Sequence, residues 1–255
     1  MIRIILNGAA GRMGRAVVAA ASGAEDLTIA ACVDRAGVPA VGDVPWGHDL
    51  AAVVRAGDVV VDFSGPEGAR QAASVCAAQG AALVTGSTGL AAADEQALSE
   101  AAERVAVLRA NNFSLGVAAL RVALKAALAA VPTTWDIEIV ERHHRLKKDS
   151  PSGTAVTLAS DIRAARGLPP EAVRHGREGL VGPRPAGELG VHAVRGGTWV
   201  GDHQVLLAGE GEWLELRHVA QDRAAFAHGA VAAARFVASA GAGLWTLEDV
   251  LRAAR

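Results

Sequence analysis

The feature that most constrains this chain is a rhythm in its first 110 residues. Short apolar runs at residues 2–7, 27–33, 58–62, 81–84 and 105–108 each have the length of a strand, and Ala-rich segments of helical length separate them. Strands joined through helices run parallel, and a parallel sheet needs cover on both faces. The rhythm therefore predicts a Rossmann-like, doubly wound parallel sheet with helices on each side. Small molecules bind such a sheet beyond the carboxyl ends of its strands.

After Asn111 the rhythm changes. Residues 114–130 read as a helix, and residues 136–141 alternate polar and apolar side chains as a half-exposed antiparallel strand does. A polar segment at 143–153 leads to a helix at 154–166 and a long loop with Gly and Pro at 167–190. Strands are expected at 191–194, 204–208 and 213–218. The Ala-rich helix at 224–238 resembles those of the first region, which suggests a return to it. The expectation is an α/β domain from residues 1–114 and 223–255. A second, α+β domain at 115–222 would contain a mostly antiparallel sheet.

Composition narrows the function classes. With 51% hydrophobic and 20% charged residues in 255, the chain can bury a core, and a net charge of −2 gives no pull toward nucleic acid or anionic membranes. The most apolar helical stretch, 116–131, carries Arg121 and Lys125, so no bilayer-spanning segment is expected. Cys32 and Cys76 sit singly inside apolar runs. They read as buried thiols of a reducing compartment, with neither a disulfide framework nor a zinc site. A cytoplasmic protein without a nucleic-acid or membrane partner is the expectation.

Gly8, Ala9, Ala10, Gly11, Arg12, Met13 and Gly14 follow the first strand and open the first helix. Backbone N–H groups and the helix dipole can hold a pyrophosphate there. The spacing departs from Gly-x-Gly-x-x-Gly, with the first glycine one residue early. Asp34, 20 residues beyond Gly14 at the end of the second apolar run, is placed to accept from an adenosine ribose. Arg35 next to it suits a 2′-phosphate, so NADH and NADPH both stay open. Gly86, Ser87 and Thr88, with Ala110, Asn111, Asn112 and Phe113, end later strands and suit the nicotinamide half. A tight turn that binds no nucleotide is the plainer alternative.

The second cluster is Glu141-Arg142-His143-His144-Arg145-Leu146-Lys147-Lys148-Asp149-Ser150-Pro151-Ser152-Gly153-Thr154. The chain has three lysines against 22 arginines, and two of the three are here. An ammonium kept where arginine is the rule points to a compact or titratable cation. Of the two histidines, one can donate a proton near neutrality while the other contacts substrate. Adjacent histidines converge poorly on one metal, so no metal site is expected. Ser152, Gly153 and Thr154 open a helix whose free N–H groups and hydroxyls suit a substrate carboxylate. A solvated basic loop with an ordinary helix cap is the alternative.

On these motifs the chain resembles the 4-hydroxy-tetrahydrodipicolinate reductase family of bacterial lysine and diaminopimelate synthesis. The most specific match is residues 141–154 to the family's E-x-H-H-x-x-K-x-D-(A/S)-P-S-G-T pattern. Asp62-Phe63-Ser64 and Arg223-Ala224-Ala225-Phe226-Ala227-His228-Gly229-Ala230 match as well. Ser87 stands where many relatives have Thr, and Asp34 where many have Glu. The resemblance implies His143 as general acid, Lys147 as second proton donor, and His144, Gly153 and Thr154 as substrate contacts. It further implies a nicotinamide cofactor, a small dicarboxylate substrate and a homotetramer built through the second domain. A nucleotide-sensing protein on the same fold is the non-enzyme alternative, with little use for His143, His144 and Lys147.

Overall fold

The computed structural model describes residues 1–37 and 44–254. The chain divides into two compact units, Met1–Leu115 with Arg223–Arg255, and Gly116–Asp222.

In the first unit β1 (Ile2–Asn7) and β2 (Leu27–Val33) coincide with the first two apolar runs. The next three, β4 (Val59–Asp62), β5 (Ala82–Thr85) and β6 (Ala106–Arg109), each begin one residue later than the runs. Two short strands were not anticipated, β3 (Trp46–Gly47) and β12 (Gly243–Trp245), because two or three residues carry no periodicity. The sheet order is β12-β6-β5-β4-β1-β2-β3, parallel throughout. The chain winds outward in both directions from β1 and β4, which makes the gap beside their carboxyl ends the switch point.

The helices of this unit are α1 (Arg12–Ala21), α2 (Leu50–Val53), α3 (Pro66–Gln79), α4 (Ala92–Ala102), α7 (Ala224–Val237) and α8 (Leu247–Ala253). Their alanines have a packing reason. Ala72, Ala73 and Cys76 of α3 and Leu98 of α4 lie against Ile5, Val60, Leu83 and Val107 of the sheet in one buried cluster. Small side chains let α3 lie close to the strands. On α7, Ala227, Ala230, Ala233 and Ala234 are all fully buried, and the helix packs on α1 and on β4, β5 and β6.

The second unit holds all but the first residue of α5 (Leu115–Ala130), with α6 (Gly153–Arg166) and the strands β7 (Asp136–His143), β8 (Val173–Arg174), β9 (Leu189–Arg195), β10 (Gly201–Ala208) and β11 (Trp213–Ala220). Residues 167–190, expected as a loop, contain a 3-10 turn at Pro170–Ala172, all of β8 and the start of β9. The sheet order is β11-β10-β7-β9-β8. β10 pairs antiparallel with β7 and β11, whereas β7 with β9 and β8 with β9 are parallel, so this sheet is mixed. The parallel half arises because α6 lies in the connection from β7 to β9, and a crossover through a helix returns in the same direction. The expected alternation of β7 is present, with Ile137, Ile139, Glu141 and His143 turned inward. Ile137 and Ile139 pack with Leu120, Leu124 and Leu128 of α5 and Leu158 and Ile162 of α6. Arg121 ties the two helices through a bidentate pair with Asp161 at 2.7 and 3.0 Å.

Candidate active site

At the switch point of the first unit the chain leaves β1 through Gly8, whose φ of +77° is the left-handed region that favours glycine. A Cβ at Gly8 would lie 2.7 Å from the Phe63 carbonyl carbon, so the turn after β1 and the turn after β4 touch through backbone alone. Gly14 packs as closely, with a Cβ there falling 2.5 Å from the Ala9 carbonyl oxygen. Gly11 caps α1 without a side chain, leaving the N–H groups of Arg12 and Met13 with no side-chain cap. Uncapped N–H groups at a helix start are what a pyrophosphate cradle requires.

Asp34, just after β2, reaches back to the loop that follows β1. Its Oδ2 accepts from the Ala10 N–H at 2.9 Å and its Oδ1 from the Arg35 N–H at 2.9 Å, so the carboxylate fixes the loop. Arg12 and Arg35 are exposed. Gly86 is closed in by aromatic rings, since a Cβ there would reach the rings of both Phe63 and Phe113. Those rings meet edge to face at 5.3 Å. Ser87 is buried and bonds Asp62 at 2.7 Å. The Ala110 N–H donates to the Thr85 carbonyl at 3.1 Å, and the Asn112 Oδ1 accepts from the Ser114 N–H at 2.8 Å. The segments at 8–13, 63–65, 86–88 and 110–113 thus meet at one end of the parallel sheet.

In the second unit His143 is the last residue of β7, 7% exposed, and its Nδ1 lies 2.6 Å from the Oε2 of the fully buried Glu141. A carboxylate only accepts, so Nδ1 carries the proton and Nε2 is the nitrogen left for exchange. Nε2 borders Gly201, where a Cβ would come within 3.3 Å, and the missing side chain keeps that edge of the ring clear. Glu141 also accepts from Arg195 at both oxygens, 2.7 and 2.8 Å, and from the Ser152 N–H at 3.0 Å. Burial alone would raise its pKa, but the hydrogen bonds from His143 and Arg195, with the Ser152 N–H, outweigh burial and hold it at about 2.

Ser152 is buried and its groups are engaged within the protein. Its Oγ accepts from the Ala155 N–H at 3.2 Å as the cap of α6 and lies 3.0 Å from His203 Nε2. Gly153 is exposed and Thr154 half-buried at the opening of that helix. His203 packs edge to face on His143 at 5.1 Å, and burial, with the neighbouring His143, pushes its pKa down to about 4. The His144 N–H donates to the Trp199 carbonyl at 2.9 Å. Lys147 pairs with Asp149 at 2.9 Å, and that hydrogen bond holds the Asp149 carboxyl below its usual range. Arg195, bound to Glu141, also donates to the Asp149 main-chain carbonyl at 2.8 Å, so its guanidinium links Glu141 to the backbone of the residue that pairs with Lys147.

Sequence reasoning gave no role to Glu141, Arg195, His203 or Asp62. Glu141 had a signal, because the alternation that turns Ile137 and Ile139 inward turns residues 141 and 143 inward too. Arg195 lies opposite His143, and His203 opposite Glu141, through strand pairings that no local pattern reveals.

A doubly wound sheet with a glycine turn at its switch point, in a chain whose second unit presents a carboxylate-held histidine, defines a two-unit dinucleotide-dependent oxidoreductase. Residues 2–113 match the family model described as dihydrodipicolinate reductase, N-terminus, and residues 116–251 its C-terminus counterpart. The chain belongs to the dihydrodipicolinate reductase family. The 4-hydroxy-tetrahydrodipicolinate reductases of Anaeromyxobacter sp. and Caulobacter vibrioides are 41% and 42% identical to it. The alignments cover 98% of this chain and 98% and 97% of those relatives. A dipicolinate-bound dihydrodipicolinate reductase from Paenisporosarcina sp. TG-14 superposes with a TM-score of 0.82 at 28% identity, covering 98% of this chain and 99% of that one. The family uses a nicotinamide cofactor and a small dicarboxylate substrate. Its reaction is the NAD(P)H-dependent reduction of 4-hydroxy-tetrahydrodipicolinate to tetrahydrodipicolinate in lysine and diaminopimelate biosynthesis.

Proposed function

We propose that this chain carries out that reduction with the first unit holding the cofactor, the second holding the dicarboxylate, His143 as general acid and Lys147 as second proton donor. The observation that carries the reading is the 2.6 Å contact between His143 Nδ1 and buried Glu141. It fixes the ring and leaves Nε2 as the protonating atom. When bound, the reduced nicotinamide supplies a hydride to C4 of the substrate ring as water leaves.

The N–H groups of Arg12 and Met13 at the start of α1 would hold the pyrophosphate, and Asp34, already bonded to Ala10, would receive the ribose. Gly86, Ser87, Thr88 and residues 110–113 would line the nicotinamide half. His144, Gly153 and Thr154 would take the substrate carboxylates, aided by the N-terminus of α6, with Ser152 shaping that turn from beneath. Asp34 suits a free ribose and exposed Arg35 a 2′-phosphate, so both NADH and NADPH serve. Homotetramer formation through the second unit is supported by edge strand β11, on which Trp213 is 71% exposed. The two cysteines, free and buried, support a cytoplasmic setting.

Purified protein given the condensation product of pyruvate and aspartate semialdehyde should consume NADH and NADPH alike, followed by loss of dihydronicotinamide absorbance. Consumption of neither would refute the reading. Consumption of one alone would refute dual use.

A further inference from the structure

At the switch point of the parallel sheet lies a carboxylate to which no catalytic or binding role has yet been given. Asp62, the last residue of β4, is fully buried, and no cation pairs with it among the described residues. Five donors converge on it. Oδ1 accepts from Asn7 Nδ2 at 2.9 Å, from the Ser64 N–H at 3.2 Å and from the Ser64 hydroxyl at 2.5 Å. Oδ2 accepts from the Thr85 and Ser87 hydroxyls, each at 2.7 Å. Ser87 Oγ in turn accepts from the Gly65 N–H at 2.9 Å. The network ties the ends of β1, β4 and β5 to the two turns that follow β4 and β5.

Burying a carboxylate without a countercharge is costly, and apolar residues at positions 7, 62 and 85 would fill a sheet more cheaply. What an apolar cluster could not do is set the turns. Ser64 is held from Oδ1, Ser87 from Oδ2, and Gly65 through Ser87, so one group fixes both turns relative to each other. The turn at 63–65 also abuts Gly8, where a Cβ would lie 2.8 Å from the Ser64 Cα.

We propose that Asp62 is a positioning residue for the nicotinamide cofactor, holding the 63–65 and 86–88 turns in the arrangement that the cofactor binds. This rests on the reading that the first unit holds the cofactor. Asp62→Asn keeps the shape but aims an amide N–H₂ at groups that donate. NADH and NADPH would be titrated into the full-length protein without substrate, following cofactor fluorescence. Pyridine-2,6-dicarboxylate binding and thermal unfolding would be measured on the same samples.

Both cofactor Kd values should rise about tenfold, the loss expected for one charge-assisted hydrogen bond, while dicarboxylate affinity stays unchanged. Thr85→Val removes one donor at constant size and should raise both Kd values by a smaller factor, which decides the matter should Asp62→Asn not fold. Kd values within about twofold of the parent in the folded variants, with or without a lower Tm, would leave Asp62 a purely structural group and overturn the proposal. A parent protein that binds neither cofactor would overturn the first-unit reading and this inference with it.

Discussion

Glu141 serves three partners from one buried carboxylate: the His143 ring, the Arg195 guanidinium and the N–H that opens α6. Its folded pKa of about 2 lies below the ordinary 4.5, so the stabilisation it gives is fully present above pH 4.5 and is lost as pH falls toward 2. His203 acts higher on the scale. Burial holds it at about 4 against an ordinary 6.5, so the unfolded chain binds the proton more readily and stability drops as pH falls from 6.5 to 4. His218, also pushed down by burial, adds in the same direction. Each of the two larger contributions amounts to about 3 kcal/mol at most. Denaturant unfolding across this range should show both segments in the parent protein, and His203→Gln should remove most of the upper one alone. A parent profile flat between pH 6.5 and 4 would contradict the account. At this scale the sequence was legible where chemistry is concentrated in a few neighbouring residues, as at 141–154. Arg195 and His203 reach the same cluster from other strands, and their registers depend on the whole sheet.

Among the elements, α7 shows what an Ala- and Gly-rich helix is for. A Cβ on Gly229 would run into the carbonyl oxygen of Phe113, the residue whose ring meets Phe63, so the helix lies against that turn with no space between. Gly229→Ala should destabilise the first unit by about 1–3 kcal/mol through forced backbone shifts. Gly241→Ala, with nothing within 4 Å of the new Cβ, should have little effect. Thermal unfolding of both variants checks this, and equal Tm values would contradict the close packing. Strands β1 and β2 were readable residue for residue because both faces of a parallel strand are covered and the apolar run is continuous. β8 and β12 were not. Each is too short to show a period, and each exists because a neighbouring strand has a free edge to pair with.

For the whole molecule, chain order and spatial order part company at the C-terminus. The C-terminal family match runs through residue 251, whereas Arg223–Arg255 belongs by contact to the first unit, with α7 against α1 and β12 completing the sheet beside β6. The Ala-rich composition of residues 224–238 signalled that return; the strand after it gave no sign. The proposed division of labour places the proton donors in one unit and the cofactor in the other, so the two properties should separate on mutation. The most direct measurement is kcat together with cofactor Kd for His143→Gln and Lys147→Ala. Each variant should lose roughly 10²- to 10⁴-fold in kcat while binding NADH or NADPH within about twofold of the parent. Near-full kcat in either variant, or a cofactor affinity that collapses in step with the rate, would contradict the account.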